Sequence, residues 1–235
     1  MNKLYLVATP IGNLEDISLR ALKVLKEVDL ILSEDTRVTK KLLDHYQISK
    51  PILSYHQHSK LKKVNYISQL LKEGKSLALV SDAGTPGISD PGNKLVRKIV
   101  EELGELVAIV PIPGPSALTT AASISGFSMD KFLFLGFLPV KRKRKKFFEE
   151  VINSKYPVIF YESPYRILKT LKELRSLIGE TDKSRRQVMV ARELTKKFET
   201  VYRGNIDEVT KAIEKDFVKG EFVVVIEGTS KSFEE

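Results

Sequence analysis

Ten short β-rich runs, alternating with stretches of helical period, predict an α/β fold of two domains built around largely parallel sheets. Three observations carry that prediction. The runs recur along all 235 residues, a length that lets two domains each bury a core. The segments between them place apolar side chains at three- and four-residue spacing. Near the middle, VPIPGP at 110–115 packs three of the ten prolines into five positions, which forbids helix, disfavours a central strand and makes a stiff junction. An N-terminal α/β domain over 1–112 and a C-terminal α/β domain over 113–235 follow.

The strands fall at 4–8, 30–33, 52–55, 77–81 and 107–110 in the first half, then at 132–136, 158–161, 188–192, 198–202 and 222–226. Between them, 18–27 sets Leu19, Leu22, Leu25 and Val28 on one helical face, and 93–103 does the same with Leu95, Ile99 and Leu103. Tyr5, Phe132, Phe134 and Phe160 lie in strands and read as core rather than as base-stacking platforms. A cleft between domains joined so stiffly is the default place for a ligand.

Hydrophobic residues at 42% and charged residues at 29% are ordinary for globular chains and exclude disorder, collagen and coiled coil. The absence of cysteine excludes disulfides, thiolate metal sites and a thiol nucleophile, and fits a reducing cytoplasm. No signal peptide or membrane span is expected. The formal charge of +9 points to a polyanionic partner, either nucleic acid or a carboxylate-rich small molecule. Up to residue 110 there are 16 basic and 13 acidic side chains, and beyond it 23 and 17. The unbroken run KRKRKK at 141–146 can supply that second excess, with Lys183, Arg185 and Arg186 extending the patch. It reads as a footprint for RNA phosphates, or more plainly as a solvated loop or helix face.

The most informative stretch is SDAGTPGISDPG at 81–92, between a strand and a helix, with three of the 13 glycines. Such a loop lets backbone approach a ligand closely. Its acids, Asp82 and Asp90, argue against a phosphate cradle and favour a ligand of amine, hydroxyl or sulfonium character; the plainer reading is a turn in which Asp90 or Ser89 caps the helix. Neither G-x-G-x-x-G nor G-x-x-x-x-G-K-[ST] occurs, so a Rossmann dinucleotide site or a P-loop is not expected. ATPIGNL at 8–14 and SEDTR at 33–37 bring two more polar loops to the same edge of a parallel sheet, the second also reading as a helix start capped by Asp35 or Thr36. His56 and His58 form a His-x-His pair, but zinc needs further ligands and only His45 remains besides carboxylates, so no metal site is expected.

TPIGNL at 9–14, SEDTR, the 81–92 loop, PGPSA at 113–117, FLGFLP at 134–139, YESP at 161–164 and ARELTK at 191–196 together closely resemble the ribosomal RNA small subunit methyltransferase I family, within the tetrapyrrole methylase superfamily. The resemblance covers essentially the whole chain, and the 9–14 and 81–92 motifs are its most specific pieces. It implies a class III methyltransferase architecture with S-adenosylmethionine in the interdomain cleft, no metal, and a homodimer. The implied reaction is 2′-O-methylation of a cytidine ribose in the decoding region of the small-subunit (16S) ribosomal RNA. Carried over position by position, the cofactor residues are Pro10, Asp82, Gly84, Thr85, Ile88, Ser116 and Ala117, with Tyr161 and Leu194 closing over it. Longer relatives carry an extra C-terminal segment thought to help bind RNA, and this chain stops soon after Gly228.

Methyl transfer from a sulfonium to a hydroxyl is an in-line displacement, in which orientation can account for about 7 to 11 kcal/mol of the barrier in favourable cases. A ribose hydroxyl is a poor nucleophile, and a positioned base adds roughly 10²- to 10⁴-fold. Glu34, Asp35, His56, Glu162 and Glu193 are the candidates for that base, while Arg37, Arg192 and Lys196 are placed to lower the hydroxyl pKa or to hold flanking phosphates. Each of these charges also reads as an ordinary ion pair. Two rivals remain open: a porphyrinoid methylase of the same superfamily, and a non-catalytic RNA-binding ribosome-assembly factor on the same fold.

Overall fold

The computed structural model describes residues 2–56, 61–178, 186–216 and 218–229. The chain divides into two compact units, Met1–Ser116 and Ala117–Glu235. In the first, β1 (Asn2–Val7), β2 (Leu30–Ser33), β3 (Ile52–Ser54), β4 (Leu77–Val80) and β5 (Val107–Ile112) form one sheet in the order β3-β2-β4-β1-β5. Every neighbouring pair is parallel. The intervening helices α1 (Leu19–Glu27), α2 (Thr36–His45), α3 (Leu61–Lys72) and α4 (Gly92–Leu103) cover both faces. Side-chain alternation sorts the two cores: Ile31, Ala78 and Val80 pack with α1 and α2, while Leu32, Leu77 and Leu79 pack with α3 and α4.

Two local expectations change. Ser18 caps α1 by accepting from the Ala21 N–H at 3.0 Å, but Leu19 is 87% exposed, and the buried stripe is Ala21, Val24, Leu25 and Val28. At 3.6 residues per turn Leu19 lies about 160° round the helix from Ala21, so an apolar spacing of strictly three drifts off the sheet. The prolines do not end β5 at residue 110; it runs through Pro111 to Ile112 because it is an edge strand, where a missing N–H need not interrupt a ladder. The helix over Leu95, Ile99 and Leu103 buries all three as expected, each contributing about 1.5–3 kcal/mol.

The second unit contains α5 (Ala117–Ile124), β6 (Leu133–Phe137), α6 (Arg144–Asn153), β7 (Val158–Glu162), α7 (Ile167–Leu177), β8 (Gln187–Arg192), β9 (Thr200–Asn205), α8 (Ile206–Glu214) and β10 (Phe222–Ile226). Its sheet runs β6-β7-β10-β8-β9, and here the expectation of a largely parallel sheet fails. Only β6 and β7 are parallel; β10 runs antiparallel to β7 and β8, and β8 to β9. The link 193–199 is too short for a crossover helix, so β8 and β9 pair antiparallel. One core gathers α6, α7 and α8 over the sheet around Phe148, Phe160, Leu171, Val190, Ile213 and Val224, and α5 packs on β7 and β10. Phe160 is buried, but Phe132 is 38% exposed just ahead of β6, and β9 begins two residues after Phe198.

Candidate functional site

In the first unit the connections leaving β1 and β4 run to opposite ends of the sheet, which opens a crevice outside their carboxyl ends. Backbone stitches its floor. Thr9 and Gly84 exchange two main-chain hydrogen bonds of 3.0 Å, Thr9 Oγ1 donates to the Ser81 carbonyl at 3.1 Å, and Ser81 Oγ donates to the Gly84 carbonyl at 3.0 Å. Thr85 Oγ1 donates to the Pro115 carbonyl at 3.2 Å. Gly84 has φ +81°, and a Cβ there would lie 3.4 Å from Ile11 Cγ2, 3.6 Å from the Pro115 carbonyl oxygen and 3.8 Å from Ser116 Cα. Three loops therefore meet at a position suited to glycine. Beside them is a cleft of about 300 Å³ lined by Thr9, Pro10, Leu14, Val38, Ser81 and Asp82, among others, at the lower end of the range for small-molecule sites. Of the residues carried over from the family resemblance, Pro10, Asp82, Gly84, Thr85 and Ser116 come together here, while Ile88 lies exposed in the same 81–92 loop. Thr9 and Ser81 were missed as site residues, although Thr9 stands inside the 9–14 motif.

The carboxylates at this edge differ from one another. Asp82 accepts from the Asp35 N–H at 2.9 Å and so ties the β4 loop to the β2 loop. Asp35 caps α2 by accepting from the Arg37 N–H, and its hydrogen bonds from the Arg37 guanidinium and amide lower its pKa to about 2. It is a helix cap and a poor base. Asp90 Oδ1 accepts from the Gly87 and Gly92 N–H groups at 2.8 and 2.7 Å and so folds the loop onto the first residue of α4, but the N-cap is Pro91, so neither Asp90 nor Ser89 caps the helix as the plainer reading expects; the Asp90 Oδ2 is buried without a hydrogen-bond partner. Burial pushes the Asp90 carboxyl up in spite of those two amides. Glu34, at the end of β2, lines a water-sized cavity with Tyr55, Ser81 and Asp90, and its carboxyl is raised first by burial and then by Asp82 and Asp90.

The second-unit candidates are engaged in the scaffold. Glu162 is buried against Arg166 at 2.7 Å and accepts from Thr170 Oγ1 at 2.7 Å. Arg192 is buried, pairs with Asp216 at 3.4 Å and donates to Thr200 Oγ1; Tyr202 donates to the same Asp216, and burial and that carboxylate push its phenol up to about 12. Glu193 (φ +52°) accepts from Lys196 Nζ at 2.8 Å and from the Glu221 N–H at 2.9 Å. Burial pushes its carboxyl up, but Lys196, the Glu221 amide and Arg192 outweigh burial and lower it. A Cβ on Gly220 (φ +92°) would collide with the Glu193 side chain, so that close approach requires glycine; Leu194, next to Glu193, is buried. Tyr161 stacks edge-on with Phe134 at 5.1 Å, and its phenol, raised by burial, accepts from the Leu118 N–H next to Ala117.

The basic run straddles the start of α6: Lys141 and Arg142 precede the helix, Lys143 sits at its N-cap in the left-handed region, and Arg144, Lys145 and Lys146 open it. Arg144 is withdrawn from solvent, pairing with Glu173 at 2.6 Å and donating to the Pro139 carbonyl and Thr170 Oγ1. Arg186 does not extend the patch: it is buried and donates to the carbonyls of Val151, Ile152 and Glu227. Lys183, Arg185 and His58 lie outside the described residues. Among the described residues no cluster of His, Asp and Glu is placed to hold a metal, and no helix is long and apolar enough to cross a membrane.

Comparison with known proteins places this geometry. The family model for Tetrapyrrole (Corrin/Porphyrin) Methylases matches residues 3–210. The ribosomal RNA small subunit methyltransferase I of Thermotoga maritima is 48% identical over 228 residues, 97% of this chain and 99% of that protein. The chain belongs to the ribosomal RNA small subunit methyltransferase I family. Within that family the Bacillus subtilis protein is 45% identical, over 98% of this chain and 76% of its own length. Two solved structures share the fold at low identity: the methyltransferase CobJ, with TM-score 0.69 and 16% identity over 97% of this chain and 95% of that one, and diphthine synthase, with TM-score 0.72 and 13% identity over 97% and 90%. The class III α/β architecture with two sheets, expected from the family resemblance, is thus the architecture found.

Proposed function

We propose that this chain moves a methyl group from S-adenosylmethionine to the ribose 2′-hydroxyl of a cytidine in the decoding region of small-subunit ribosomal RNA. The observation that carries the reading is 48% identity, across 97% of the chain, to a relative named ribosomal RNA small subunit methyltransferase I; the ribose position and the nucleotide come from the family resemblance. The bound cofactor supplies an electrophilic methyl on a sulfonium. The Gly84 floor suits it, because backbone and small side chains from three loops meet there at a left-handed glycine, and because the adjacent cleft carries the Asp82 carboxylate as well as Lys41. Pro10, Asp82, Gly84, Thr85, Ile88 and Ser116 of the first unit are assigned to hold it.

Glu34 is the base in this reading. Its carboxyl is raised by burial and by Asp82 and Asp90, which makes it a better proton acceptor than Asp35 or Glu193, both of which are lowered. It takes the ribose proton as the oxygen–methyl bond forms and the sulfur–methyl bond breaks. Arg37 projects into solvent from α2 and holds a flanking phosphate. Glu162, Arg192, Glu193 and Lys196 are reassigned from catalysis to positioning. The working form is a cytoplasmic homodimer, whose two-fold pair widens the surface offered to RNA.

The test is transfer from labelled S-adenosylmethionine to small ribosomal subunits lacking the modification, followed by nuclease digestion and mass spectrometry of the nucleosides. A 2′-O-methylated cytidine is expected. Cofactor binding without transfer to RNA would instead favour a porphyrinoid substrate, and RNA binding without cofactor binding would favour an assembly factor.

A further inference from the structure

Two surface segments of the second unit are tied to one buried carboxylate. Glu162, with its side chain fully buried at the end of β7, pairs with Arg166 at 2.7 Å and accepts from Thr170 Oγ1 and the Ser163 N–H, both at 2.7 Å. Arg166 donates onward to the Leu138 carbonyl at 3.0 Å. Arg144 adds a parallel strut, from Thr170 Oγ1 at 3.1 Å to the Pro139 carbonyl at 3.3 Å, with Glu173 and the Phe148 ring holding its guanidinium. The turn 163–166 and the loop 138–143 are therefore held against each other through the buried Glu162 and Thr170 and the half-buried Arg166 and Arg144.

What these two tied segments display to solvent is an aromatic ring on one and a run of cations on the other. Tyr165, immediately before Arg166, is 95% exposed, and Val140 is 70% exposed. Lys141, Arg142 and Lys143 are exposed and make no ion pair or side-chain hydrogen bond among the described residues. A tyrosine ring left in water forgoes its apolar burial, and the buried network beneath keeps its turn from folding the ring away. Cations tracking a backbone next to a ring that accepts any base face are the chemistry of single-stranded nucleic acid binding, and paired bases in a helix offer no such face.

We infer that Tyr165 is a stacking platform for one unpaired base of the substrate RNA, beside phosphates held by Lys141, Arg142 and Lys143. The inference rests on the reading of RNA as substrate. Glu162, Arg166 and Arg144 are positioning residues for this platform.

The experiment compares wild type, Tyr165→Ala, Tyr165→Phe and a triple alanine variant at 141–143. It reads steady-state methylation of unmodified small subunits, and fluorescence quenching of a single-stranded oligoribonucleotide carrying 2-aminopurine. Tyr165→Ala is expected to raise KM on the order of 10-fold, to leave kcat and the salt slope nearly unchanged, and to lose the quenching. Tyr165→Phe keeps the ring and should match wild type in both readouts. The triple variant should raise KM and flatten the salt dependence. If Tyr165→Ala keeps wild-type KM and quenching while wild type methylates RNA, the platform is overturned and the RNA reading stands. If wild type neither binds nor methylates RNA, the reading beneath the inference fails with it.

Discussion

In the first unit Glu34, Asp82 and Asp90 gather at the carboxyl ends of β2 and β4 without an ion pair among the described residues, whereas in the second unit Glu162, Glu173, Glu193 and Asp216 each meet an Arg or Lys at 3.4 Å or less. The contrast follows from topology. A parallel sheet sends all its carboxyl strand ends to one edge, so the acids of successive loops crowd together there: Glu34 is pushed up by burial and then by Asp82 and Asp90, and Asp90 by burial and Asp82. The mixed second sheet and its helices bring acids against bases from neighbouring elements, and those pairs weld the scaffold. Unpaired carboxylates are available for proton transfer; paired ones hold surfaces in place.

Substitutions can break or sharpen this division. The largest effect is expected for Glu34→Gln, which should lower kcat by roughly 10²- to 10⁴-fold with little change in unfolding midpoint. The pH profile checks the sign: a base whose pKa is raised gives activity that climbs as pH rises through a value above the ordinary 4.5, and Glu34→Gln should lack that limb. A retained limb would move the base elsewhere. Arg166→Ala, in the second unit, should instead cost stability, about 3 kcal/mol in denaturant unfolding, by leaving Glu162 buried and unpaired. Gly84→Val forces a side chain into φ +81° and towards Ile11, at about 1–2 kcal/mol of strain, and should abolish cofactor binding in calorimetry while RNA affinity is nearly kept. The smallest effect is expected for Leu19→Gln, within about 0.5 kcal/mol in thermal unfolding, because the residue faces solvent.

Much of the first unit was legible before any coordinates. Strand runs, the helix start capped by Asp35, and the 81–92 loop follow from backbone geometry and from burial of near neighbours, which leave a period in the chain itself. The loops after β1, β2 and β4 reached one edge because a parallel sheet requires it. Less was legible where partners are remote. KRKRKK reads as six equivalent cations, yet Arg144 finds Glu173 29 residues on, and Arg186 reaches the Val151 carbonyl 35 residues back. Adjacent Glu34 and Asp35 look alike as candidate bases; Arg37 neutralises one, while burial and acids from the β4 loop raise the other. Residue types and spacing settle what is periodic and local, including the fold class and the family. Which charge is paired, buried or left exposed depends on atoms brought within a few ångströms across tens of residues, and that only the tertiary structure decides.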